Sequence, residues 1–200
     1  MTLARSGDTA IVVDTTAAGD STSEMLHVEA LPDSGAVADD NESPVPVSAS
    51  DLEALRAQSM VVPVAGLTPR DLVDSFDDKR GQSRQHNALD IMAARNTPAI
   101  AATSGTIARL HNSAAGGLSV YQRDRTSRFV LMYGHLDSYR PGLKVGDTVR
   151  RGEIIDFVGS TGNASPLAPH LHFQIMRSEN PKDWWRGTPI NPFLIYRPKG

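Results

Sequence analysis

The chain has 200 residues, 40% of them hydrophobic and 22% charged, enough for one or at most two globular domains. Its halves differ: residues 1–59 carry a net charge of −9 and no aromatic side chain, whereas residues 60–200 carry +6 and every aromatic from Phe76 to Tyr196. The absence of cysteine excludes disulfides and thiolate metal sites, no window reaches the run of about 18 apolar residues that spans a membrane, and the mild, dispersed positive charge gives no footing for nucleic acid.

Residues 1–49 are rich in Asp, Ser, Thr and Ala and show no sustained period. A self-repelling segment without aromatics cannot bury enough apolar area to offset its ordering entropy, so a disordered acidic linker is predicted there, acting as a tether or spacer. Its start shows no basic stretch followed by an apolar run, hence no visible export signal. Ser50-Asp51-Leu52-Glu53 fits a capping box and predicts a short helix over 50–59, with Leu52 and Leu55 on one side. Residues 60–200 then read as one mainly β domain, with turn residues between short apolar stretches every 8–12 positions. The predicted strands are Met60–Val64, Leu89–Ala93, Ala99–Ala102, Gly105–His111, Leu118–Arg123, Arg128–His135, Asp147–Val149, Ile154–Gly159 and His170–Arg177. Thr68–Phe76 has room for a helical turn, and Val145–Gly159 reads as a tight hairpin.

Histidine placement carries the chemistry. In the stretch from His170 to Met176, a period of two puts Leu171, Phe173 and Ile175 on a core face and His170, His172 and Gln174 on the other, so the two imidazoles project together. His86 and Asp90, four apart, share a face if the run between them is extended, and a helix would also bring them together. His135 follows Gly134 at the end of an apolar strand, where a sheet opens to a groove. Taken singly, each histidine is more simply read as a hydrogen-bonded half-core residue, and His27 and His111 keep that reading. Taken together in a chain without cysteine, they supply what a catalytic zinc site needs: three nitrogen or oxygen ligands, an open position, and spare imidazoles for acid–base work. No His-Glu-x-x-His run is present to provide a glutamate base.

Residues 60–198 resemble the lysostaphin-type, LytM-like zinc endopeptidases of bacterial cell walls. The resemblance rests on HNALD at 86–90, YGHL at 133–136, VGDTVRRGEIIDFVGSTGN at 145–163, HLHF at 170–173 and GTPINPF at 187–193. It implies an antiparallel β-sheet domain with a groove, Zn2+ held by His86, Asp90 and His172, and catalytic roles for His135 and His170 beside the activated water and the scissile carbonyl. It also implies that the loop before His170, rich in Gly, Ser and Thr, forms one groove wall. Two departures stand out: Ala88 occupies a position commonly Gly, and Asp77-Asp78-Lys79-Arg80 and Gln82-Ser83-Arg84 stand where some Gram-positive members offer a tyrosine to the oxyanion.

The expected activity is hydrolysis of peptide cross-links or stem peptides in peptidoglycan, by a monomer working in the periplasm or cell envelope. The alternative is a non-catalytic regulator of other wall hydrolases, which intact ligand positions disfavour. Arg80 and Arg84, just ahead of His86, are candidates to orient a substrate carboxylate, against the simpler reading of solvated or structurally paired charges. Trp184 and Trp185 are not placed in the site. Nothing in the sequence selects the bond that is cleaved.

Overall fold

A computed structural model describes residues 46–80, 84–178, 180 and 185–196. In chain order the elements are α1 (Ala49–Ala57), a 3-10 turn at Pro69–Asp71, β1 (Lys79–Arg80), β2 (Arg84–Gln85), β3 (Leu89–Met92), β4 (Pro98–Ile100), β5 (Gly105–Ser113), β6 (Gly117–Asp124), β7 (Phe129–Tyr139), β8 (Thr148–Val149), β9 (Ile154–Val158), β10 (His170–Arg177), β11 (Thr188–Ile190) and α2 (Phe193–Tyr196). The expected mainly β, antiparallel architecture is what these elements form. No described helix is long and apolar enough to cross a membrane.

One mixed-length sheet carries nearly all the strands, in the order β11-β10-β7-β6-β5-β8, with β3 added beside β10 and β9 lying between β4 and β7. β7 is its spine. Along one edge it pairs with β6; along the other it pairs with β10 through residues 129–134 and with β9 from Leu136 onward. β10 divides its own outer edge in the same way, taking β3 at residues 170–173 and β11 at residues 175–177. The inward phase of these strands builds the core: Phe129, Leu131 and Tyr133 of β7 pack with Leu171, Phe173 and Ile175 of β10 and with Leu89 and Ile91 of β3. The Tyr133 and Phe173 rings lie 5.3 Å apart. The Tyr133 hydroxyl donates to Gln122 Oε1 at 2.7 Å and accepts from the Ala102 amide at 3.0 Å, and Gln122 Nε2 donates to the Thr103 carbonyl at 2.7 Å, so the buried polar atoms at the core's centre are paired.

α1 is part of this body. Its cap is Ser48 and not Ser50: the Ser48 hydroxyl accepts from the Asp51 amide while Asp51 receives the Ser48 amide, so the box closes two residues earlier than its sequence match. The fully buried Asp51 also takes Arg128 at 2.5 Å and Arg177 at 2.8 Å, tying the helix to the start of β7 and the end of β10. Burial acts to raise the Asp51 carboxyl, but the Ser48 hydrogen bonds and the two guanidinium groups outweigh it and hold its pKa down at about 2. Arg56 donates to the Leu194 carbonyl at 2.9 Å, joining α1 to α2.

Three expectations change. The segment Met60–Val64 is not a strand; only Val64 forms a bridge, to Ala99, because Pro63 offers no amide to a ladder. Val145–Gly159 is not a hairpin: β8 pairs with β5, while β9 pairs with β4 and β7, and the Gly-containing turn at 150–153 merely redirects the chain between neighbours. β7 does not stop at His135 but runs on to Tyr139 through an irregularity at that residue. The short β1, β2 and β11 and the C-terminal α2 were not anticipated. The acidic lead falls outside the described residues up to position 45, and α1 begins inside the stretch assigned to it.

Candidate metal centre and flanking histidines

β10 behaves as its alternation requires. Leu171, Phe173 and Ile175 are fully buried in the core, and His170, His172 and Gln174 face the opposite side, half-buried. β3 lies antiparallel beside it with His172 opposite Asp90 and His170 opposite Met92, so the imidazole and the carboxylate of the first pair share a face.

His86 arrives by a different route. The run from His86 to Asp90 is not extended throughout; Asn87 takes a left-handed φ of 55°, a conformation that asparagine tolerates better than most residues. The turn folds His86 back over β3 so that its Nε2 lies 2.9 Å from Asp90 Oδ1. Ala88 is fully buried and does not take a left-handed φ, so an alanine is accommodated there without backbone strain.

His172 Nδ1 completes the cluster, 3.2 Å from Asp90 Oδ1 and 3.1 Å from His86 Nε2. The three donor atoms all lie within 4.8 Å of one another. The tautomer of His86 tests whether this set suits a cation: its Nδ1 is 2.8 Å from the Ser75 carbonyl, which can only accept, so Nδ1 carries the proton and a neutral ring presents a lone pair from Nε2. A lone pair and a carboxylate oxygen facing each other at 2.9 Å repel unless a cation lies between them. Two imidazoles and one carboxylate converging in this way fit zinc, with the carbonyl-bound Nδ1 serving as the outer support typical of histidine ligands. Burial pushes the Asp90 carboxyl up, but the two imidazoles that face it, His172 first, outweigh burial and hold it well below the usual carboxylate range. Burial likewise lowers the His172 pKa, against the opposing pull of Asp90.

His135 sits at the point where β7 changes partner from β10 to β9. Tyr133 is opposite Val120 and Leu136 is opposite Leu118, so Gly134 and His135 together face Ser119: a β-bulge that leaves one residue outside the ladder. His135 is that residue, with φ at 58° and its amide donating to the Gly116 carbonyl at 2.8 Å. A non-glycine residue in the left-handed region stores strain of order 1 kcal/mol. The bulge turns the imidazole toward β10, 5.0 Å from the His170 ring and 5.4 Å from the His172 ring. Its Nδ1 lies 2.9 Å from the Thr161 carbonyl, and His170 Nδ1 lies 2.9 Å from the Ala168 carbonyl. Both rings therefore carry a proton on Nδ1 and, when neutral, offer a lone pair from Nε2. Burial, with the charge of His172 beside it, lowers the His135 pKa to about 4.

The loop between β9 and β10 is held at its base. The Thr161 hydroxyl donates to the Leu136 carbonyl at 2.8 Å and accepts from the Leu118 amide at 2.9 Å, and Arg95 pairs with both Asp137 and Ser160. Gly162, at φ 71°, lies so close to Gly117 and Ala115 that a Cβ there would meet the Gly117 nitrogen at 2.3 Å; glycine is required for the loops to close together. Farther along, Leu167 is almost fully exposed.

Of the sequence-predicted residues, His86, Asp90, His172, His135 and His170 come together. Arg80 joins them through its Nη2, 2.5 Å from Asp90 Oδ2, and Arg84 lies opposite it in the β1–β2 pair, exposed. Trp185 is exposed, Trp184 lies outside the described residues, and His111 sits apart, its ring 6.5 Å from Tyr121. Tyr133, two residues before His135, turns its hydroxyl into the core. The residue that sequence reasoning missed is Ser75: its carbonyl orients His86, and its hydroxyl accepts from the Asp90 amide at 3.0 Å. A serine in a loop ahead of His86 carries no periodic signal.

Comparison with known proteins agrees with this geometry. Over 94 residues the chain is 39% identical to lysostaphin of Staphylococcus simulans, covering 46% of this chain and 18% of that protein. It is 31% identical over 96 residues to the peptidoglycan DD-endopeptidase ShyC of Vibrio cholerae, covering 48% of this chain and 21% of that one. The chain thus spans about a fifth of the length of these curated relatives. The crystallised catalytic domain of S. simulans lysostaphin superposes with a TM-score of 0.52 at 30% identity, over 63% of this chain and 94% of that domain. Residues 84–192, which hold all five converging side chains, match peptidase family M23, and the chain belongs to that family.

Proposed function

We propose that this chain is a zinc-dependent endopeptidase that hydrolyses peptide bonds, in cross-links or stem peptides, of bacterial peptidoglycan. The observation that carries the proposal is the convergence of His86 Nε2, Asp90 Oδ1 and His172 Nδ1, with two further imidazoles, of His135 and His170, alongside. Membership of family M23 and the likeness to the peptidoglycan DD-endopeptidase of V. cholerae support peptidoglycan as the substrate.

In this reading His86, Asp90 and His172 hold the ion. When bound by these residues, zinc would supply Lewis-acid polarisation of an amide carbonyl and would acidify a water molecule. The chain's own work is proton handling and placement. His135 and His170 each anchor Nδ1–H on a backbone carbonyl, which fixes the ring and leaves Nε2 free for proton transfer, with His170 Nε2 3.7 Å from Asp90 Oδ1 beside the ligand set. From there they accept a proton from the attacking water and return one to the leaving amine, sharing the work that a glutamate performs in His-Glu-x-x-His peptidases. With His135 lowered to about 4, its ring enters at neutral pH uncharged and able to accept.

A peptidoglycan substrate places the protein in the periplasm or cell envelope, with the domain working as a monomer and the acidic segment ahead of α1 as a spacer. Intact positions at all five side chains favour turnover over a purely regulatory role. The test is mass spectrometry of fragments released from several purified peptidoglycans, with chelator and with added Zn2+. Zinc-dependent release of peptides cut at one bond type is expected. No release from any wall by a stoichiometrically zinc-loaded protein would overturn the enzyme reading.

A further inference from the structure

Arg80 stands ahead of the first ligand, where a cation could serve either an incoming substrate carboxylate or the site itself. The two oxygens of Asp90 settle into different tasks. Oδ1 faces His86 Nε2 at 2.9 Å and His172 Nδ1 at 3.2 Å, with His170 Nε2 farther off at 3.7 Å, while Oδ2 receives Arg80 Nη2 at 2.5 Å. A carboxylate that uses one oxygen for a metal leaves the other in need of a donor. Without that donor it can rotate or bind through both oxygens, and either movement changes the space left beside the ion.

The backbone around Arg80 is built to deliver this contact. The Ser75 carbonyl orients the His86 ring, the Ser75 hydroxyl receives the Asp90 amide, the Phe76 carbonyl receives the Asn87 amide at 2.9 Å, and the Asp78 carbonyl receives the His86 amide at 2.9 Å. Residues 75–80 thus form a strap gripping the first two ligands from outside, with Arg80, in β1, as its last contact. β1 pairs with β2, directly ahead of His86, so the strap and the first ligand are parts of one local unit.

We infer that Arg80 is a positioning residue for the Asp90 ligand, holding that carboxylate to one-oxygen coordination, and that substrate-carboxylate recognition, where the +6 domain provides it, falls to other cations. The inference rests on the proposed metal site. It assigns Arg80 a role in metal affinity that its partly exposed guanidinium would not have as a substrate receptor alone.

The full chain, stripped of metal, is titrated with Zn2+ in competition with a chromophoric chelator. Wild type is compared with Arg80→Gln, Arg80→Lys and Arg84→Gln, each checked for an unchanged circular dichroism spectrum. Loss of an outer-shell partner typically weakens metal binding by about 10- to 100-fold, and that loss is expected for Arg80→Gln, with partial recovery in Arg80→Lys and less than about a twofold change in Arg84→Gln. Zinc bound by Arg80→Gln as tightly as by wild type, with only KM for peptidoglycan fragments raised, would overturn the inference and return Arg80 to the substrate. Equal weakening in Arg80→Gln and Arg84→Gln would also overturn it, since general charge would then explain both. Failure of wild type to bind zinc would instead defeat the metal-site reading on which the inference stands.

Discussion

The two sides of the site are made by different means. On one side, His172 and His170 belong to a regular strand, and Asp90 joins them from its antiparallel neighbour by simple cross-strand register. On the other, His86 and His135 depend on departures from regular structure: a left-handed Asn87 in one case, a left-handed bulge at a change of strand partner in the other. The regular side gains its precision from a sheet buried against a continuous core. The irregular side gains it from individual backbone carbonyls, those of Ser75 and Thr161, each fixing one imidazole nitrogen. The proposed metal ligand set thus takes two members, Asp90 and His172, from the regular side and one, His86, from the irregular side, and the proposed proton-handling pair takes one from each.

The most damaging change crosses that division. Asp90→Ala removes the oxygen that both imidazole ligands face, and zinc content, measured by atomic absorption, is expected to fall to background together with peptide release. His135→Ala should keep zinc but reduce turnover by roughly 10²-fold or more, the scale of general acid–base catalysis, as followed by fragment release at saturating zinc. Loss of zinc in that variant would mean that the bulge supports the ligands as well as the proton path.

Stability changes test the supports. Asp51→Ala leaves Arg128 and Arg177 without their shared carboxylate and removes the half of the capping box that receives the Ser48 amide; because Arg128 is partly exposed, a loss of about 2–3 kcal/mol by urea denaturation is expected, with zinc affinity preserved. The Asp51 pKa is lowered to about 2 from an unfolded value near 4. Its stabilisation is therefore fully present above about pH 4 and drains away as pH falls through about 2, a slope that Asp51→Ala should flatten. Thr161→Val leaves the Leu136 carbonyl and the Leu118 amide without their hydroxyl, and a loss of about 1–2 kcal/mol is expected.

The smallest effect has the opposite sign. Asp156, fully buried in β9, has its Oδ2 without a hydrogen-bond partner, and burial raises its pKa to about 9. A carboxyl whose folded pKa lies above its unfolded value favours the folded state less as pH rises from about 4 toward 9. Asp156→Asn should therefore raise the melting temperature modestly at pH 8 and have less effect at pH 5.

What could be read in advance follows the same division. The faces of β10, and hence His170 and His172, were legible because a period of two, tested against fully buried Leu171, Phe173 and Ile175, admits one orientation. The proposed ligand roles of His86 and Asp90 rest on motif resemblance, since their spacing alone is satisfied by strand or helix and the actual path is neither. The bulge at His135 leaves no mark in an apolar strand sequence, because the signal lies in the partners of β7 and not in β7 itself. The false hairpin at 145–159 has the same cause: its turn residues are present, but its two strands do not pair with each other, β8 pairing with the distant β5 and β9 with the distant β4 and with β7. Ser75 and the two-residue β1 and β2 are too short for any periodic test.

The paired histidines of β10 provide the sharpest check, because they are two residues apart, share a face and are assigned different work. Zinc stoichiometry is measured in His170→Ala and His172→Ala, each folded and equilibrated with a small excess of Zn2+ before desalting. Near-stoichiometric zinc in His170→Ala and its loss in His172→Ala are the predicted result. Equal loss of zinc from both variants would contradict the division between ligand and proton-handling histidine on which the account rests.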